Sequence, residues 1–480
     1  MRTATNRVAA CLVASCLMWP LAAGAAENAT YVSKRDAART EYEKRLFLLA
    51  RTALQNGLGE AGMMFLREIV VRDPGHTKAR DMAGKLDAYL AKHQNDTLTP
   101  AQQRAKQTRT KQLEALADRE RQKYVRKVVT LAKWCKSQKY EDGLKESIAE
   151  GLALEYDNVT LRALKGQKKH ALYGWFDTAI VDRLNAGEWI EDGQWKKWSG
   201  ISARRIAEFK KGIGPLVGEG FHYTASYHFT VVTNLKDRSF EKDLIDSLET
   251  LVREQYREFY SDFRVGMKPY FVVYFQDKSE FSEFTRRTGG VKAAAMGYYS
   301  GKNRTLYSWR HDGTMTNGVG TVYHETTHAT LHDYFGDKKL PIWFDEGLAS
   351  FHEKSRPDDK GFRFGPINVP RMGELKKMLE GGKHISLADV FALEGTFGKN
   401  VMYSYNLSAM FIHFLYGKKL LKQFLNEMLT HGDADKAVLN VLGPDRTAWD
   451  KVFDTYVRGE LLDAKAREKM YQQMRGTRLQ

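Results

Sequence analysis

The stretch His324-Glu325-Thr326-Thr327-His328 constrains this chain more than any other. Side chains four apart on an α-helix lie one above the other, so the two imidazoles can present nitrogens to one point while Glu325 stands beside it. Two neutral imidazoles next to a carboxylate suit a zinc ion with a base beside its water. The pattern works only on a helix, and its flanks predict one. Thr316 or Asn317 can cap it, Val319, Val322 and Tyr323 give it an apolar side, and Gly336 can end it after Phe335. The bland alternative is a solvated face that carries two histidines and an acid.

A second short helix is expected over Leu340-Pro341-Ile342-Trp343-Phe344-Asp345-Glu346-Gly347-Leu348-Ala349-Ser350-Phe351, with Pro341 near its first turn. Glu346 follows His328 by eighteen positions. A carboxylate on a second helix packed against the first would complete a His, His, Glu set and leave the fourth tetrahedral position to water. The two segments together resemble the gluzincin metallopeptidases, the thermolysin-like superfamily, over about residues 226–475. That resemblance implies an α+β, thermolysin-like catalytic domain in which His324, His328 and Glu346 bind Zn2+ and Glu325 is the general base. It leaves Asp345 as a partner of a ligand or as a first-turn charge.

At 480 residues and 42% hydrophobic content the chain has material for two or three cores. Residues 1–26 read separately. Arg2 and Arg7 precede an apolar run from Val8 to Leu21, and Ala23-Gly24-Ala25 offers small residues before a cut, which is the pattern of a secretory signal peptide. The expected location is therefore exported, periplasmic or secreted. Val13-Ala14-Ser15-Cys16 resembles a lipoprotein processing site, but apolar residues continue past it and favour ordinary cleavage. Cys11 and Cys16 would leave with the signal, so Cys135 alone remains and no intramolecular disulfide is expected. The formal charge of +16 favours peripheral contact with an anionic envelope or with acidic polypeptides, and nucleic acid is no partner for an exported chain.

Three regions follow. Residues 27–170 read as helical. Leu48, Leu49, Ala53, Gly57, Ala61, Phe65 and Leu66, then Leu131-Ala132, Tyr140, Gly143-Leu144, Ile148 and Leu152, resemble two tetratricopeptide repeats, with Ala101 to Arg126 as a long solvated helix between them. The region is either a docking module for a protein partner or a structural cap. Residues 171–225 hold Trp175, Trp189, Trp195 and Trp198 around the turn Asp192-Gly193, which predicts a small β-rich connector with an aromatic core. Residues 226–480 form the expected catalytic domain. Strands are predicted over Tyr227 to Lys236 and Pro269 to Gln276, a helix over Glu241 to Tyr260, and a capping box at Asp277-Lys278-Ser279-Glu280. Ala294 to Ser300 and Arg304 to Trp309 read as a hairpin, one strand of which would pair with a substrate backbone.

Hydrolysis also needs a donor for the developing oxyanion. Tyr405, three places before Ser408, resembles the tyrosine at the head of this helix in related sequences; Tyr403 and His311 are the alternatives. The readings that follow are a zinc peptidase acting on a peptide or protein substrate, a zinc hydrolase of another amide such as a cell-wall peptide link, and a noncatalytic helical scaffold. A scaffold has no need of Glu325. Oligomeric state cannot be read from these residues.

Overall fold

The computed structural model describes residues 29–462 apart from 74, 93–98, 172, 261–264, 290–295, 312–318, 359–360, 398 and 444–445. The expected signal segment, with Cys11 and Cys16, and the expected cap residues Thr316 and Asn317 lie outside the described residues. No described helix is long and apolar enough to cross a membrane. The chain divides into two units, Met1–Gln167 and Lys168–Gln480. Its class is α+β: the described part of the first unit is helical, and the second combines helices with a five-stranded mixed sheet.

In the first unit, α1 (Ala29–Gln55), α2 (Gly59–Arg72) and α3 (Thr77–Lys92) are followed by α4 (Pro100–Ser137), α5 (Glu141–Leu154) and α6 (Val159–Leu164). Gly62 lets α1 and α2 approach closely, since a Cβ there would stand 3.2 Å from the Ala50 carbonyl oxygen. The solvated helix expected over Ala101 to Arg126 is corrected. It belongs to α4, a 38-residue helix, and Leu113, Ala117 and Tyr124 are buried with Tyr42 and Leu46 of α1. A polar layer also joins the helices. Glu150 accepts from Arg39 at 2.9 Å and from Tyr124 at 2.5 Å, and Glu68 accepts from Arg121 at 3.0 Å and from Tyr42 at 2.7 Å. Tyr42 and Tyr124 stack 4.6 Å apart between those two carboxylates. Cys135 is an unpaired, buried thiol.

After β1 (Gln167–His170), which starts at the unit boundary, the second unit continues with β2 (Gly174–Asp177), α7 (Thr178–Asn185), β3 (Glu188–Glu191), β4 (Gln194–Lys197) and α8 (Trp198–Val217). The turn between β3 and β4 takes the expected two residues, with Asp192 at φ 52° and Gly193 at φ 74°. Trp189 is fully buried against Tyr227, with ring centroids 4.8 Å apart. The segment is nevertheless far more helical than the β-rich connector expected there. Ile201, Arg205, Phe209, Ile213 and Val217 form a buried stripe at four-residue spacing down α8.

Next come β5 (His222–Ala225), β6 (Phe229–Thr233), α9 (Arg238–Glu258), β7 (Tyr270–Phe275), α10 (Lys278–Thr288), β8 (Gly297–Ser300) and β9 (Thr305–Trp309). The sheet order is β5-β6-β7-β9-β8, with β6, β7 and β9 parallel and the two outer strands antiparallel to their neighbours. Period-two alternation sends Val231, Val272 and Leu306 into the large core with α9, and Val232, Val273 and Tyr307 into a smaller one with Phe281 and Phe284 of α10. Asp277 caps α10 as expected, but Glu280 accepts from Asn234 at 2.7 Å instead of returning to the cap.

The remainder is helical apart from the ribbon of β10 (Arg356–Asp358) and β11 (Gly361–Arg363): α11 (Gly320–Phe335), α12 (Ile342–His352), α13 (Gly373–Glu380), α14 (Leu387–Phe391), α15 (Leu393–Thr396), α16 (Val401–Gly417), α17 (Leu421–His431), α18 (Ala434–Leu442) and α19 (Arg446–Leu462). The long apolar α16 runs through the core and crosses α12 at Gly347, where a Cβ would stand 2.9 Å from the Ser408 carbonyl oxygen. Gly347→Ala must therefore push two backbones apart beside Glu346. It is expected to lower the thermal midpoint by a loss of about 1–3 kcal/mol, whereas Gly395→Ala, which meets open space, should be neutral or slightly stabilising. Calorimetric melts of the two variants that coincide with wild type would refute the close crossing.

Candidate metal centre

Three elements grip α11 and so fix where its histidines point. Gln255 of α9 is fully buried and clamps two threonines: its amide donates to Thr327 at 2.9 Å, and its carbonyl accepts from Thr330 at 2.9 Å. Near the other end of the helix, Asp333 accepts from the Tyr270 hydroxyl at 2.5 Å and from Arg304 at 2.7 Å. Gly320 begins the helix against the end of α12, where a Cβ would stand 2.9 Å from the Glu353 carbonyl oxygen. Gly336, at φ 62°, ends it as expected. The N-terminus of α12 is held in turn, because Ile342 donates its backbone N–H to Glu394 at 2.8 Å.

With both helices held, three candidate donor atoms converge. His324 Nε2 lies 3.2 Å and His328 Nε2 3.5 Å from the same oxygen, Oε2 of Glu346. A tetrahedral zinc ion about 2.0–2.1 Å from each ligand separates them by roughly 3.3–3.4 Å, so the spacing fits. These residues are the only group of this kind among the described residues. The rear nitrogen of each imidazole meets a carboxylate: His324 Nδ1 reaches Glu353 Oε1 at 3.1 Å, and His328 Nδ1 reaches Asp345 Oδ1 at 2.6 Å. Each pairing keeps a proton on Nδ1 and leaves the Nε2 lone pair facing the convergence point.

The electrostatics agree with this donor set. Burial opposes the charge on His324, but Glu346 and Glu353 outweigh it and lift its pKa to about 9. Burial likewise opposes ionisation of Glu346, yet the two histidines hold its carboxyl down at about 2. The arrangement that favours two imidazolium charges also favours a dication where the three atoms meet. Glu325 differs from its neighbours. It is buried, which raises its pKa above the ordinary carboxylate value against the lowering effect of the histidines.

Tyr405 stands at this site. Its ring centroid is 6.1 Å from that of His324, and burial together with Glu346 pushes its phenol pKa up. Tyr403 looks elsewhere, with its ring 5.2 Å from Lys383 Nζ, and the His311 ring lies tilted against Trp309 with centroids 3.7 Å apart. Sequence reasoning missed Glu353 and Arg371. Glu353 lies seven positions, or two helical turns, after Glu346, a spacing that puts both acids on one side of α12. That was the available signal. Arg371 had none, because it lies in a loop turn. No protein-family model matches the chain, and no curated protein matches it.

Substitution separates ligands from the residues behind them. His324→Ala, His328→Ala and Glu346→Ala are each expected to abolish stoichiometric zinc uptake, while Asp345→Asn should keep the stoichiometry and weaken affinity by about 10–100-fold. Metal analysis with chelator competition decides this, and full, tight zinc in any of the three alanine variants would remove that residue from the ligand set.

Proposed function

We propose that this chain is a zinc-dependent peptidase of the gluzincin kind, with a thermolysin-like catalytic region in its second unit. The observation that carries the reading is the convergence of His324, His328 and Glu346 with a buried Glu325 beside them. A zinc ion at that point would polarise the scissile carbonyl and make its water acidic enough to attack near neutrality. Glu325 accepts the proton of the attacking water and returns it to the leaving amine, a task suited to a carboxyl whose pKa burial has raised. Tyr405 donates its phenolic proton in a hydrogen bond to the developing oxyanion. Among the described residues the outer strand β8 pairs with β9 alone, which leaves an edge for an extended substrate backbone.

The rest of the reading is supported by sequence. The apolar segment before residue 27 suits export to the periplasm or medium. The helices of the first unit, read as tetratricopeptide-like, suit docking of a protein partner, and the basic surface suits peripheral contact with an anionic envelope.

Glu325→Gln preserves shape and ligands but removes the base. Zinc content and melting should stay near wild type while hydrolysis of a mixed peptide library falls by about two to four orders of magnitude. Equal rates in wild type and variant would refute the mechanism. Zinc-loaded wild type that cleaves no peptide but hydrolyses another amide would transfer the same chemistry to that substrate. Tyr405→Phe should lower kcat by about 10- to 1,000-fold and leave zinc affinity unchanged, which steady-state kinetics and chelator competition measure together.

A further inference from the structure

Arg371 sits in the 3-10 turn Val369–Met372, between β11 and α13, and is held at both ends. Its carbonyl oxygen accepts from Asn406 Nδ2 at 2.9 Å, which ties its backbone to the residue after Tyr405. Its guanidinium donates to Glu353 Oε1, the oxygen that also accepts from His324 Nδ1 at 3.1 Å. The same guanidinium carbon lies 5.0 Å from the centroid of the Tyr405 ring, over its face. Asn368 holds the other oxygen of Glu353 at 3.3 Å. His324, Glu353, Arg371 and Tyr405 thus close a ring of contacts around one side of the ligand cluster, the His324 and Tyr405 rings being 6.1 Å apart.

We propose that Arg371 is a positioning residue that orients two working groups at once, His324 through Glu353 and the Tyr405 phenol through the cation–π contact. The proposal rests on the reading of His324 as a zinc ligand. A planar guanidinium can pair with a carboxylate at its edge and lie flat on an aromatic ring with its face, and an ammonium cannot hold both geometries together. Glu353 has only a small exposed fraction, 9% of its side chain, so it depends on fixed protein donors for its orientation. A guanidinium that merely paired with Glu353 would affect metal binding and stability but not turnover of the zinc-loaded protein. One that also positions Tyr405 must affect turnover separately from metal binding.

Two substitutions separate these effects. Arg371→Met removes both contacts: zinc affinity in competition with a chelator should weaken by about 10–100-fold, and the visible spectrum of the cobalt-substituted protein should change. Arg371→Lys keeps a cation for Glu353 but loses the planar guanidinium over the Tyr405 ring, so zinc affinity should stay within about threefold of wild type while kcat falls about tenfold or more at nearly constant KM. In a Tyr405→Phe background, Arg371→Lys should lower kcat no further. Should Arg371→Met fail to fold, Asn368→Ala loosens the same carboxylate and should weaken zinc binding in the same direction by a smaller factor. Wild-type affinity and cobalt spectrum in Arg371→Met, or wild-type kcat in Arg371→Lys, overturn the proposal. Wild type that binds zinc but cleaves no peptide sinks the peptidase reading while the Arg371→Met affinity still decides this one, and wild type that takes up no zinc sinks both.

Discussion

Burial of charge is the constraint on which the second unit turns. His324, Glu325 and Glu353 are all less than a tenth exposed, and His328, Asp345 and Glu346 are largely withdrawn from water beside them. Ionised groups removed from solvent must find partners, because an unpaired one costs several kcal/mol. The pairing here is specific: each imidazole has a carboxylate behind it and shares Glu346 in front. Such a set tolerates little displacement, so its supports are stiff. Gln255 braces the back of α11, Asp333 ties that helix to the sheet, and Gly347 lets α16 lie directly on α12.

How much of this was legible follows from periodicity. The pattern from His324 to His328 and the acid at Glu346 were readable because their spacing is local to two helices. The sheet strands were readable because Phe229–Thr233 and Tyr270–Phe275 are apolar runs buried on both faces. Glu353 was half legible, as an acid two turns after Glu346. Arg371 was not, since its role arises from a turn brought beside α16 by tertiary packing, and no local pattern encodes that contact.

The two misread segments share a cause. Both α4 and α8 carry their apolar side chains as a narrow stripe diluted by lysine and arginine, so average polarity suggested a solvated helix in one case and tryptophan density suggested a β-rich segment in the other. In α4 the stripe is completed by polar groups. Tyr124 is buried and Arg121 part-buried, satisfied by Glu150 and Glu68, which hydrophobic periodicity does not count. In α8 the buried Arg205 occupies a core position because Glu191 and the Tyr227 carbonyl oxygen satisfy it at 3.0 Å each.

Charge balance gives the donor set its chemical meaning. With both imidazoles neutral, Glu325, Asp345, Glu346 and Glu353 set four carboxylates against the one guanidinium of Arg371, a strongly negative cluster for a buried place. Two protons on the imidazoles relieve it, and that is why His324 and His328 are pushed towards their charged forms. A dication at the shared face of Nε2, Nε2 and Oε2 would bring the same relief while freeing both imidazoles to act as donors. Metal and protons therefore compete for one position, and the carboxylates behind the histidines tip the contest by keeping Nδ1 protonated and Nε2 free. Glu325 has no imidazole proton of its own in this arrangement. It is the one carboxylate of the four whose pKa is pushed up, and so the one best placed to take a proton when water gives it up.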